Sequence, residues 1–376
     1  MGEKTHLGKA IHWSAGPRAH AGEMLAAGLG MAAPLLLAGA TGHPSHLPLG
    51  LAAALGSLAI GAGAMPAGPG STPASTPNVP ASAGAQVRQL ATLLAPFAAA
   101  AAIAAGCAGH GAASDAAVIV LAVAAAAIGG YSRPLAVAAT RFVLFLIIAT
   151  GSAGAAPHRG GFLLLALAGA LWTCLLLMLL GPWMRARRAP AAVATAAPQP
   201  TTAQRWGRWR RTMSGWPGWQ YPLRLACALG AAALLRWLFP AHHFDWIALT
   251  VALLIQRQPE PLSVKTTQRV GGTVLGVLVA ALLLGHKLPA WVVAVNAGWL
   301  AGIRPLLRSR NYLAYSAVMT PLMVLIMSAG KAPGGGMLAD RVAATVIGAA
   351  IVVAVDAVAG RLLAKSAKSA KSSMQA

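Results

Sequence analysis

The amino-acid sequence predicts an all-α integral membrane protein of about 12 transmembrane helices, in two parallel-related six-helix halves joined by a short basic cytoplasmic linker. Composition, the placement of charge and a weak internal repeat carry that prediction. Of 376 residues, 57% are hydrophobic and only 10% are charged, and the mean hydropathy is +0.66. Soluble domains carry about 25% charged residues. A chain this poor in charge cannot cover a water-facing surface, so lipid is the solvent expected for most of it. The apolar runs are long and continuous, whereas barrel strands alternate. In lipid, a helix satisfies its own backbone groups.

A crossing needs about 20 mostly apolar residues. Apolar runs lie near 23–41, 47–65, 88–108, 113–131, 134–151, 161–182, 222–240, 244–257, 268–285, 288–306, 311–329 and 341–361. The run 244–257 is short for a full span. The 42 glycines suit close helix packing through small residues.

Charge placement orients these spans. With the N-terminus inside, 23 of the 29 Lys and Arg residues fall on cytoplasmic loops and span ends. Four fall outside (Arg159, Lys287, Lys331 and Arg341), while Arg141 and Arg236 fall within spans. That asymmetry is the positive-inside signal of an even number of spans with both termini cytoplasmic. The net charge of +22 is therefore read as topology and not as nucleic-acid binding, since the basic residues gather on no soluble domain.

The chain divides into a cytoplasmic N-terminal segment 1–22, a first membrane half 23–182, an Arg/Trp/Pro-rich linker 183–221, a second half 222–363 and a basic tail 364–376. Within the linker, 189–203 reads as flexible. Residues 204–219 place four tryptophans among or just after arginines, as an interfacial helix or a basic loop would. Similar dipeptides recur in order between the halves. Ser132-Arg133 matches Ser309-Arg310, Ser152-Ala-Gly154 matches Ser328-Ala-Gly330, and His158-Arg159 matches Asp340-Arg341. Six spans per half would relate the repeats by an axis along the membrane normal.

The second half holds the distinctive residues: Trp246 and Thr250, then Arg269 with Gly272, Thr273 and Gly276, then Arg310, Asn311 and Tyr312 with Thr320 and Pro321. In this order, from Asp245 to Leu325, they resemble the fusaric acid resistance and aromatic acid exporter superfamily. The resemblance implies bacterial inner-membrane efflux of aromatic or other organic acids, driven by the proton gradient. A periplasmic adaptor and a homo-oligomer are compatible with it. Many large exporters of that family carry a sizeable soluble domain; here the linker spans 183–221 only.

The residues themselves point the same way. Arg269, Arg304, Arg308 and Arg310 stand at the cytoplasmic ends of spans, where they either obey the positive-inside rule or steer anions inward. Tyr312 and Tyr315 offer aromatic faces. Pro321 would free the Ala317 carbonyl, to be met by Thr320 or its neighbours; Asn311 suits either a site or a helix cap. The candidate substrate path is thus Arg269, Thr273, Arg310, Asn311, Tyr312, Thr320 and Pro321. Ionisable groups inside a membrane are costly and invite function, so Asp356, Arg141 and Asp245 are the candidates for proton or charge coupling. Arg236 is placed to pair with Asp245. The expected partners are the bilayer, protons and a small organic acid.

The three cysteines lie far apart in apolar runs and read as core residues. Seven of the ten histidines fall at outer loops, among them His43, His46, His242 and His243, and no metal site is expected. No nucleotide-binding motif and no nucleophile–base pair is present, so neither an enzyme nor a cofactor is expected. An organic-anion channel and a non-transport membrane scaffold for envelope biogenesis are the alternatives.

Overall fold

In the computed structural model, every regular element is a helix among the described residues, which are 11–13, 21–43, 46–61, 83–154, 156, 158–185, 200–257, 264–284, 288–308, 310–327 and 334–373. The first helices are α1 (Ala21–Ala40), α2 (Leu47–Gly61), α3 (Ala83–Cys107), α4 (Ala112–Ile128), α5 (Arg133–Gly154) and α6 (Arg159–Arg185). Then follow α7 (Thr202–Met213), α8 (Trp216–Leu238), α9 (Asp245–Leu254), α10 (Val264–Leu284), α11 (Ala290–Arg308), α12 (Tyr312–Met327) and α13 (Gly335–Ser373). Seven of these are long and apolar enough to cross a membrane: α1, α3, α5, α6, α10, α11 and α13. Four are shorter and apolar (α2, α4, α9 and α12). The protein is an all-helical, multi-pass membrane protein. Its outward faces carry Leu37, Leu282, Trp237, Trp291 and Trp299, each more than 60% exposed, which water would not tolerate over so broad a surface.

Helix bounds follow the hydropathy closely, with two instructive departures. The second half was expected to begin at 222, but α8 begins at Trp216. Gly215 caps it and Pro217 sits in its first turn, where a missing N–H costs nothing. The tail expected from 364 instead continues α13 to Ser373, because the Ala/Lys run beyond Gly360 has no helix breaker. The N-terminal segment 1–10 and 14–20, linker residues 186–199, and the loops holding Lys287 and Lys331 lie outside the described residues.

Helix pairing falls into two matching sets. Within α1–α6, α2 packs along α6, α3 along α5, α1 on α2 and on α6, α4 on α5, and α3 on α6. Within α8–α13 the same pairs recur: α9 with α13, α10 with α12, α8 with α9 and α13, α11 with α12, and α10 with α13. The sets meet chiefly along two seams, α1 to α11 and α4 to α8, with α5 also touching α9. The α1–α11 seam is tight: a Cβ added at Gly28 would sit 3.0 Å from the Gly298 carbonyl oxygen.

Candidate functional site

The chain has seven acidic residues, and where they point decides which cations are neutralised. Glu3 and Glu260 lie outside the described residues. Asp356, buried on α13, accepts from Arg224 Nε of α8 at 2.9 Å, and Arg224 Nη2 reaches the same oxygen. Asp115 of α4 and Asp245 of α9 both accept from Arg236 of α8, the latter at 2.9 Å. Asp340 meets His242 Nδ1 at 2.8 Å and the His243 backbone N–H at 3.0 Å. Glu23 lies within electrostatic reach of Arg308.

Further buried arginines form two groups, one joining α13, α9 and α10 and the other joining α11 and α5. In the first, Arg341 is 0% exposed, and Nε, Nη1 and Nη2 have no hydrogen-bond partner among the described residues. Its guanidinium lies over the Trp246 ring, 4.0 Å from the centroid. Arg269 of α10 is close enough to repel it. Arg269 Nη1 donates to Ser316 Oγ at 3.1 Å, and Arg269 also neighbours Tyr312. In the second group, Arg304 of α11 donates from Nη1 to the Leu58 carbonyl at 3.5 Å, while its Nε and Nη2 have no partner among the described residues. Arg308 and Tyr315 neighbour Arg304, and Arg308 also acts on buried Arg141 of α5.

Burying an unpaired charge costs several kcal/mol. The Trp246 face returns about 2 kcal/mol to a desolvated cation, less than the penalty. The arrangement therefore favours an anion reaching Arg341 or Arg269. Guanidinium suits a carboxylate particularly, since its planar fork matches two oxygens.

The remaining predicted residues are placed as follows. Asn311 caps α12: its Oδ1 accepts from the Ala314 N–H at 3.0 Å, and its Nδ2 donates to the Ile11 carbonyl at 3.1 Å. Tyr312 stacks with Tyr315 at 5.9 Å between ring centroids, and Lys265 Nζ lies 5.6 Å from the Tyr312 centroid. Arg310 is half-buried just before α12. Thr273 is buried, and its hydroxyl has no partner among the described residues. Asp245 lies with Arg236 beside a cavity of about 300 Å³ lined also by Asp115, Thr150 and Leu229.

Pro321 does not interrupt α12, which runs through it. The Thr320 hydroxyl donates to the Ser316 carbonyl at 2.9 Å, not to that of Ala317 as expected. The Ala317 carbonyl instead presses on α10 at Gly276, where an added Cβ would lie 2.5 Å away, and the Leu313 carbonyl does the same at Gly272. The Gly272-Thr273-x-x-Gly276 pattern is thus a bed for the proline-containing helix. We expect Gly276→Val to force α10 and α12 apart and cost about 1–3 kcal/mol, read as an earlier melting transition of the detergent-purified protein; unchanged melting would show that the helices part freely.

Residues 228–355 match the family described as fusaric acid resistance protein-like. That stretch of the chain is fusaric acid resistance protein-like. It begins inside α8, ends one residue before Asp356, and holds Arg236, Trp246, Arg269, Arg304, Tyr312 and Arg341. No curated protein and no solved structure matches the chain.

Two buried arginines escape a sequence reading, Arg341 inside the fusaric acid resistance protein-like stretch and Arg224 just before it. Arg341 counts there as an outer-loop charge, yet it is buried. Arg224 counts as a span-end charge, yet it neutralises Asp356. A signal existed for the second: with so few acids, a carboxylate deep in an apolar run needs a cation at its own depth. For Arg341 the adjacent Asp340 suggests a neighbouring pair, which helix geometry forbids, since consecutive residues face about 100° apart.

Proposed function

We propose that the protein exports organic acids, aromatic acids among them, across a bacterial inner membrane at the expense of the proton gradient. The observation that carries the reading is Arg341, buried without a hydrogen-bond partner among the described residues and stacked on Trp246. A planar carboxylate supplies both the charge and the flat face such a site accepts. Arg269 extends the site toward Tyr312, and Arg304 and Arg308 extend it toward Tyr315. The path we assign keeps Arg269, Thr273, Arg310, Tyr312 and Thr320 beside it, with Asn311 and Pro321 shaping α12.

The matching helix pairings support two six-helix halves, in which α7 is the linker helix and the short α9 enters the membrane without crossing it by its own length. Both termini are cytoplasmic on the charge asymmetry, and Arg236 closes the outer end of the seam between the halves by holding Asp115 and Asp245 together. Alternating access requires one seam to open, and the cavity beneath Arg236 marks the α4–α8 seam. An anion channel is the second reading, favoured by the surplus of buried arginine over carboxylate among the described residues.

Accumulation separates the two. In inverted vesicles that hold the full chain, an imposed pH gradient is expected to drive benzoate uptake above its equilibrium level. Uptake that stops at equilibrium with the membrane potential selects the channel, and no uptake of any organic acid rejects both.

A further inference from the structure

The linker helix α7 presents a surface that the transport reading does not use. Its start is built by a capping box, in which the Thr201 N–H donates to Gln204 Oε1 at 2.9 Å and the Gln204 N–H donates to Thr201 Oγ1 at 3.3 Å. This local closure makes a helix of a stretch that a basic loop would fit equally well. Helical spacing puts Trp206, Trp209 and Met213 on one face and Arg208 and Arg211 on another, with Arg210 beside the tryptophan face.

The tryptophan face is docked. Trp209 Nε1 donates to the Ala127 carbonyl at 3.0 Å, one of the last carbonyls of α4, which a helix leaves without an internal partner. Trp206 and Trp209 stack at 4.9 Å between centroids, and Tyr131 flanks Trp206 at 6.4 Å. Arg257, just beyond α9, reaches the neighbouring Ala126 carbonyl at 3.5 Å. α7 is therefore held against the end of a bundle helix, at the level where tryptophans occupy a membrane interface. Trp206, Trp216 and Trp219 stay 54%, 52% and 41% exposed.

Among the described residues, no carboxylate pairs with the arginine face. No acidic residue stands between Asp115 and Asp245, and both of these are held by Arg236. Arg208, Arg210 and Arg211 are exposed. A row of guanidinium groups at headgroup level, beside exposed tryptophans, fits phosphodiesters.

We propose that α7 is a recognition surface for anionic phospholipid, in which Arg208, Arg210 and Arg211 bind headgroup phosphates and so keep Trp209 seated on α4. The lipid thereby fixes the end of α4 opposite to Asp115, and the strength of that hold depends on membrane composition. Lipid binding stands apart from the transport reading and is measured without it.

The test is hydrogen exchange of the full chain in nanodiscs. Phosphatidylglycerol is expected to protect the amides of α7 and the last turn of α4 relative to phosphatidylcholine alone. The triple Arg→Gln variant at 208, 210 and 211 should exchange in phosphatidylglycerol as the parent does in phosphatidylcholine, with partitioning of the lipid reduced about fivefold for each arginine lost. Trp209→Phe should keep the lipid-dependent protection of α7 and lose that of α4. Exchange across α10 and α13 reports whether each variant is folded. Equal protection in the two lipids, or protection retained by the triple variant, overturns the proposal. Protection in phosphatidylcholine restored by inorganic phosphate would overturn it too, by showing that a free anion suffices.

Discussion

Arg341→Gln is expected to weaken benzoate binding by about ten- to hundredfold while leaving the protein as stable as the parent or more so. The first effect follows from losing a charge-assisted contact, worth about 1.5–3 kcal/mol. The second follows from removing a guanidinium whose nitrogens find no hydrogen-bond partner among the described residues. Relieving a buried unpaired charge is neutral or stabilising. A purely structural arginine would behave in the opposite way: its loss would lower the melting temperature and leave binding untouched. Calorimetric titration with benzoate and a melting curve on the same preparation read both quantities. A destabilised variant with parental affinity would remove Arg341 from the site. Trp246→Leu should share the binding loss and lower stability as well, because it takes away the face that supports the cation at 4.0 Å.

Asp356→Asn is expected to lower stability by about 3–5 kcal/mol, since it leaves Arg224 buried without its counter-charge. The pair is 5% and 2% exposed, so water cannot take over the role of the carboxylate. Replacing both partners, with Arg224→Met and Asp356→Leu, should recover most of that loss, because an apolar pair of similar size needs no desolvation. The double variant also tests coupling. If the rescued protein still drives benzoate uphill under a pH gradient, Asp356 carries no proton; if it equilibrates benzoate without concentrating it, the pair belongs to the coupling machinery. Melting midpoints of the two single variants and the double variant, together with vesicle uptake, complete the cycle.

Where the apolar helices lie was legible because hydrocarbon imposes length and apolarity on each segment separately. The run 311–329 became α12 at Tyr312–Met327, and 288–306 became α11 at Ala290–Arg308. The short run 244–257 became a helix of ten residues, Asp245–Leu254. At 1.5 Å per residue that is about 15 Å, half of a hydrocarbon layer of about 30 Å. Lateral arrangement was less legible. A span that is apolar all round gives no sign of which face meets lipid and which meets protein, so a charge on it cannot be aimed. Arg341 and Asp340 are adjacent, yet one enters the bundle and the other turns to His242. Arg224 and Asp356 are 132 residues apart and meet only because α8 and α13 pack together. Arg236 with Asp245 was readable, since a short connection joins their helices; its second partner, Asp115, lies on a distant helix.

The helix pairings repeat along the chain, but the buried charges do not. Among the described residues, the buried Arg224, Arg269, Arg304, Arg341 and Asp356 all belong to α8–α13, and Arg141 alone lies in α1–α6. Two identical subunits related by symmetry would have to carry each of these groups twice, and each added buried ion would bring a further desolvation penalty of several kcal/mol. Joining the repeats in one polypeptide removes that obligation. One copy can lose its arginines and become an apolar wall, while the other keeps the polar groups and their cost is met once. Covalent fusion is thus also a way to let the two sets of helices differ in buried charge while keeping the same pairing.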